Sequence, residues 1–148
     1  MRRYLIAIIC SAAVAAAGTM FIEERRTTNN RLHFVNELVQ SDWNTAHFAV
    51  RSKDDGMDWF YDQDNPLEAD AVQRLRHIFL LVDSQGRVVQ SSRLYEQSGL
   101  PLPPRNEGKL RTWEWKGTAD TMRYLLCTGP IHSDNGEVYQ LTVGRELD

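Results

Sequence analysis

The chain has 148 residues, 42% hydrophobic and 25% charged, with 17 Lys and Arg against 20 Asp and Glu for a formal charge of -3. That is the composition of one folded domain of roughly 120 residues plus one further segment. Without Arg2 and Arg3 the balance is 15 to 20, so no basic stripe remains and nucleic acid is not an expected partner. The two cysteines, Cys10 and Cys127, lie in an apolar leader and an expected strand, so no disulfide framework is expected.

Residues 1–22 form the first part. Arg2, Arg3 and Tyr4 precede an uncharged run from Leu5 to Ile22, close to the shortest length that crosses a bilayer. Ala15-Ala16-Ala17 before Gly18 offers a signal-peptidase site. Apolar character resumes at Met20, Phe21 and Ile22 before Glu23-Glu24-Arg25-Arg26, which fits an uncleaved transmembrane anchor. The anchor is the preferred reading because the run continues past the alanines, and the signal peptide is the alternative. Arg2 and Arg3 place the N-terminus in the cytoplasm and residues 23–148 outside it, with Arg25 and Arg26 weakening that assignment. Cys10 follows Ile9, too bulky for a lipid-attachment motif.

From Glu23 to about Ser52 the pattern predicts one long helix. Leu32, Val35, Leu38, Val39, Trp43, Ala46, Ala49 and Val50 recur at steps of three and four with no Gly or Pro between them. Such a stripe packs on a sheet or pairs with a second copy of itself. Lys53 to Asp70 carries seven carboxylates and is broken by Gly56 and Pro66, so it is expected to be a loop held to the body by Trp59, Phe60 and Tyr61. Asp62-Gln63-Asp64-Asn65 has oxygen ligands but lacks the Gly and Glu offsets of a calcium loop, and solvated charge is its expected role. Leu67 to Arg76 reads as a short helix opened by Pro66.

The chain is organised around Ile78 to Ser92. Ile78 to Val82 is apolar on both faces, as in a strand covered on both sides. Asp83-Ser84-Gln85-Gly86 turns the chain, with Gly86 accepting the positive φ, and Arg87 to Ser92 returns. Leu94 to Gly108 contains two Gly and three Pro and is expected to be irregular and pocket-lining. Leu110 to Lys116, Met122 to Thr128 and Val138 to Val143 read as three more strands, with turns at Gly117–Asp120 and Ser133–Gly136. Gly129-Pro130 is taken as the end of the second of these, and Tyr139, Leu141 and Val143 as one face of the third. The expected fold is α+β, a long helix packed on a five-stranded antiparallel sheet.

Helix, hairpin, loop and three antiparallel strands in that order resemble a PAS-like extracytoplasmic sensor domain. The stretch Asn135-Gly136-Glu137-Val138-Tyr139-Gln140-Leu141-Thr142-Val143-Gly144-Arg145-Glu146-Leu147-Asp148 resembles the region before the second membrane span of bacterial sensor histidine kinases. Phe79 to Ser92 and Leu125 to Ile131 are similar to the preceding strands of those input domains. The resemblance implies the N-terminal input module of a two-component sensor. It also implies a homodimer anchored in the inner membrane by its N-terminal helix, with an unknown small molecule or ion as its signal. No phosphoacceptor-His motif, ATP-binding Asn box or Gly-rich lid occurs in these residues, so the chain itself is not expected to be an enzyme. The rival reading is a stand-alone, single-span extracytoplasmic binding or envelope-assembly protein.

Chemistry is sparse. His33, His47, His77 and His132 are scattered, and no H-x-x-x-H, C-x-x-C or H-E-x-x-H motif predicts a metal. No serine has a G-x-S-x-G context, and no motif calls for a cofactor. A ligand pocket between the sheet and its covering connections is the remaining expectation. Its candidate residues are Tyr95, Arg111, Trp113, Trp115, Arg123 and Tyr124, which combine aromatic walls with a cation. The competing structural role for the two Trp is to roof the core.

Overall fold

The computed structural model describes residues 30–54, 56–103, 108–116 and 122–147. The leader, the start of the long helix, the Gly117–Asp120 turn and Asp148 lie outside the described residues. The chain divides into two compact units, residues 1–34 and 35–148. Of the first, only the helical residues 30–34 are described; the sheet and its covering elements belong to the second. Among the described residues no helix is long and apolar enough to cross a membrane.

The elements are α1 (residues 30–49), β1 (Val50–Lys53), β2 (Gly56–Trp59), α2 (Pro66–Leu75), β3 (Phe79–Val82), β4 (Val88–Ser91), α3 (Arg93–Gln97), β5 (Arg111–Lys116), β6 (Arg123–His132) and β7 (Val138–Glu146). The fold is α+β. Five strands form one antiparallel sheet in the order β4-β3-β7-β6-β5, and β1 and β2 form a separate hairpin.

The alternation of β3 decides how the sheet is covered. Phe79 and Leu81 enter one core with Val39, Trp43 and Ala46 of α1, Val72 and Leu75 of α2, and the odd-numbered apolar residues of β6 and β7. Ile78, Leu80 and Val82 enter a second core with Tyr95, Tyr124 and Leu126. One face therefore carries α1 and α2, and the other carries α3 and the connection after it. Tyr139, Leu141 and Val143 share the helix-covered face, as their spacing predicts.

Five boundaries differ from expectation. The long helix stops at residue 49, not Ser52, because Val50 pairs with Trp59 and Lys53 with Gly56. The segment expected to be a loop after Lys53 thus contains β2, and Asp54 makes the reversal at φ 49°, a conformation Asp tolerates better than most residues. The stretch after Leu94 is not wholly irregular: Ser92 caps α3, accepting from the Tyr95 N–H at 3.2 Å. β6 does not end at Thr128 but runs through Gly129-Pro130 to His132. β5 begins opposite Thr128, so past that point β6 has the open edge that proline accepts. β7 likewise continues past Val143 to Glu146, paired with Tyr124.

Gly129 has a packing reason. A Cβ built there would lie 2.6 Å from the Trp43 ring, so α1 approaches the sheet closely only because this position is bare. The acidic segment before α2 is a capping device. Asn65 accepts from the Leu67 N–H, while Glu68 accepts from the Asn65 side chain and the Asp62 N–H, a variant of the capping box. Trp59 is buried edge-on against Phe79, ring centroids 5.4 Å apart; Phe60 is exposed and Tyr61 half-buried.

Candidate functional site

The sequence candidates gather on the loop-covered face, with one exception. Trp113 pairs with Leu126 and Trp115 with Tyr124, and all four belong to the core beneath α3 and the segment after it. Tyr124 is buried, its hydroxyl 3.0 Å from Ser98 Oγ. Tyr95 is buried on α3 and donates to the Pro101 carbonyl at 2.7 Å; burial pushes its phenol well above the ordinary range. The first bond fastens the end of α3 to the sheet, and the second fastens the connection to α3. Arg111, opposite Thr128, begins β5 and is exposed. Arg123 is the exception: it lies on the opposite face, bonded to Glu114 at 3.0 Å, because strand alternation turns it away from Tyr124.

Between these aromatics the face is polar. The Trp113 indole N–H donates to Thr128 Oγ1 at 3.1 Å, and Thr128 and Thr142 share a hydroxyl–hydroxyl bond of 2.8 Å. Both threonines are fully buried. The Trp115 Nε1 is buried with no hydrogen-bond partner among the described residues, a cost of about 1–3 kcal/mol for such a group. On the sheet a cleft of about 450 Å³ opens between Leu102 and Pro103, Val138 and Gln140, and the Asp83–Gly86 turn. Leu102 and Val138 are 55% and 40% exposed, so the cleft is apolar at its mouth. None of the six candidate residues lines it. Thr128, Thr142, Gln140 and Ser98 are polar residues that the sequence reading does not single out. The even positions of β7, read as strictly as the odd ones, point to Gln140 and Thr142.

The other face carries the strongest long-range connection. Trp43 of α1 donates its indole N–H to the Leu141 carbonyl at 2.8 Å, stacks on His47 and rests on Gly129. One residue before it, Asp42 receives both Nε and Nη2 of Arg145 on β7, the second at 3.0 Å. This forked bond raises the pKa of the arginine. Two adjacent residues of α1 therefore hold β7 at two points, Leu141 and Arg145.

Among the described residues no group of three or more His, Cys, Asp or Glu side chains is placed to hold a metal ion. Cys127 is buried, its thiol pushed up to about 11 by that burial, which leaves it unreactive at neutral pH. The chain matches no protein-family model, no curated protein and no solved structure. The class of domain therefore rests on its own architecture: α+β, with a five-stranded antiparallel sheet, long helices on one face and a loop-built cover on the other.

Proposed function

We propose that this chain is the signal-sensing input domain of a membrane-bound two-component sensor histidine kinase, PAS-like in fold, working as a homodimer in the inner membrane with residues after about 23 outside the cytoplasm. The observation that supports this reading most is the double attachment of α1 to β7 through Trp43 and Asp42. In such a sensor the N-terminal helix and the last strand are the two elements nearest the membrane, and a signal must travel between sheet and helix. A close-packed ring and a forked ion pair transmit displacement because neither contact deforms gradually. The strand order supports the same reading, with the last strand central and the connection between β4 and β5 forming a cover.

The test is a chimera. Residues 1–148 replace the input domain of a reporter sensor kinase, with single cysteines placed at exposed α1 positions such as Asn44 and Phe48. The proposal expects disulfide cross-linking between copies and a kinase output that changes in Asp42→Ala or Arg145→Ala. Output and cross-linking that ignore both substitutions would reject it in favour of the stand-alone, single-span binding or envelope-assembly protein.

A further inference from the structure

We infer that the cleft between α2 and α3 is a binding site for a small organic anion carrying a carboxylate or phosphoryl group. The site goes beyond the signalling proposal and does not require it.

The fold brings two arginines together from distant points of the hairpin. Ser92 donates its N–H to the Phe79 carbonyl at 2.9 Å, and its hydroxyl accepts from the Phe79 N–H at 3.1 Å. This pair of bonds pins the residue after β4 opposite the residue that starts β3. The chain that enters β3 through Arg76 and His77 therefore lies beside the chain that leaves β4 through Arg93. All three side chains line one cleft of about 860 Å³.

The lining is selective in sign. Among the described residues it holds two guanidinium groups, one imidazole and the amides of Gln73 and Gln97, and no carboxylate, in a chain with 20 Asp and Glu and a negative net charge. Neither Arg76 nor Arg93 forms an ion pair among the described residues. Two carboxylates bear on the cleft and both hold other partners: Glu96 accepts from the hydroxyl of Ser91, itself a lining residue, and Asp58, whose charge acts on Arg76, is bonded to the Trp59 N–H and Lys53. Arg76 at the C-terminal cap of α2 has a local reason to be basic, the carbonyl end of that helix. Arg93 has no such reason.

Guanidinium groups bind carboxylate and phosphoryl oxygens through paired N–H donors. The two amides add donors and acceptors for a polar substituent. The floor is apolar, from Val72 and Phe79, with Leu94 at the side, which suits a carbon skeleton better than a bare inorganic ion.

The full 148-residue chain, held in detergent micelles, is titrated with citrate and separately with glycerol 3-phosphate against sodium chloride and sodium sulfate of matched ionic strength, and its thermal midpoint is followed. The inference expects a saturable rise with at least one organic anion, which also says whether carboxylate or phosphoryl is preferred. It expects affinity to fall at least about tenfold in Arg76→Gln/Arg93→Gln, the loss of one charge-assisted contact or more. Affinity is expected to hold in Arg74→Gln, which lines a different cleft. Both arginines of the site are exposed, and Arg93→Lys, keeping the charge, is expected to bind between wild type and the double variant. No rise beyond the matched salts, an equal rise from sulfate, or affinity unchanged in both the double variant and its single components would each overturn it. Because the readout is binding, an uncoupled signalling chimera leaves it standing.

Discussion

The two faces of the sheet are built by opposite rules. On the helix-covered face sixteen buried residues from α1, α2, both small strands and the sheet form one continuous core. A tryptophan there is satisfied in both its ring and its N–H. On the loop-covered face the described residues supply a core of six buried hydrophobic side chains, threonine hydroxyls pair inside the layer, and one indole N–H has no partner among the described residues. The first face resists deformation. The second keeps polar groups in its interior. Close apolar packing and buried polar bonding are thus separated by the thickness of one sheet.

Substitutions can break or sharpen that contrast. The largest effect is expected from Trp43→Ala, which removes the ring over Gly129 and the bond to Leu141, at about 3–5 kcal/mol; urea unfolding followed by circular dichroism measures it. Gly129→Ala drives a methyl into the same ring from the other side and is expected to cost about 1–3 kcal/mol. A thermal midpoint that does not move would mean that α1 does not sit against β6 as closely as the packing demands. Trp115→Phe, on the opposite face, is expected to change stability by less than about 1 kcal/mol in either direction, since it removes a buried donor with no partner among the described residues. A large loss there would erase the distinction between the faces.

The smallest effect is local and depends on pH. The Asp83 carboxylate accepts from the Arg87 and Gln85 N–H groups and from the Arg87 side chain, and these hold its pKa below the ordinary 3.8. A carboxyl depressed in the folded state adds stability that is complete above its ordinary value and is lost as pH falls through the folded one. The turn is therefore expected to be indifferent to pH between about 5 and 8 and to loosen only below about 4. Amide NMR shifts of Gln85 and Arg87 report it, and Asp83→Asn is expected to remove the transition.

Much of this architecture is legible in residue patterns. The apolar Ile78 to Val82 run announces a strand covered twice. Its turn, the α2 helix and the α1 stripe at Val39, Trp43 and Ala46 are legible for the same reason: strong periodicity or specific turn chemistry. The rest is decided by distant partners. Val50 to Ser52 extends a helical pattern, and only pairing with Met57 to Trp59 makes it a strand. Gly129-Pro130 looks like a stop until Trp43 supplies the neighbour that needs the bare backbone. In the candidate pocket, Trp113, Trp115, Tyr95 and Tyr124 stand out because aromatics are conspicuous. The Thr128–Thr142 pair does not, because a hydroxyl network depends on the register of β6 against β7. Arg76 and Arg93 carry no local motif, since their proximity follows from the hairpin bonds of Ser92.

The position of β7 has a consequence for biogenesis. It is the middle member of the sheet, joining Phe79–Val82 on one side to the whole length of β6 on the other, yet it follows every other strand in sequence. In whatever compartment the polypeptide folds, the paired strands β3–β4 and β5–β6 must wait with unpaired margins until Val138 to Glu146 arrives. The length of that interval, during which both sheet margins stand open to wrong partners, is expected to weigh on the yield of correctly assembled molecules.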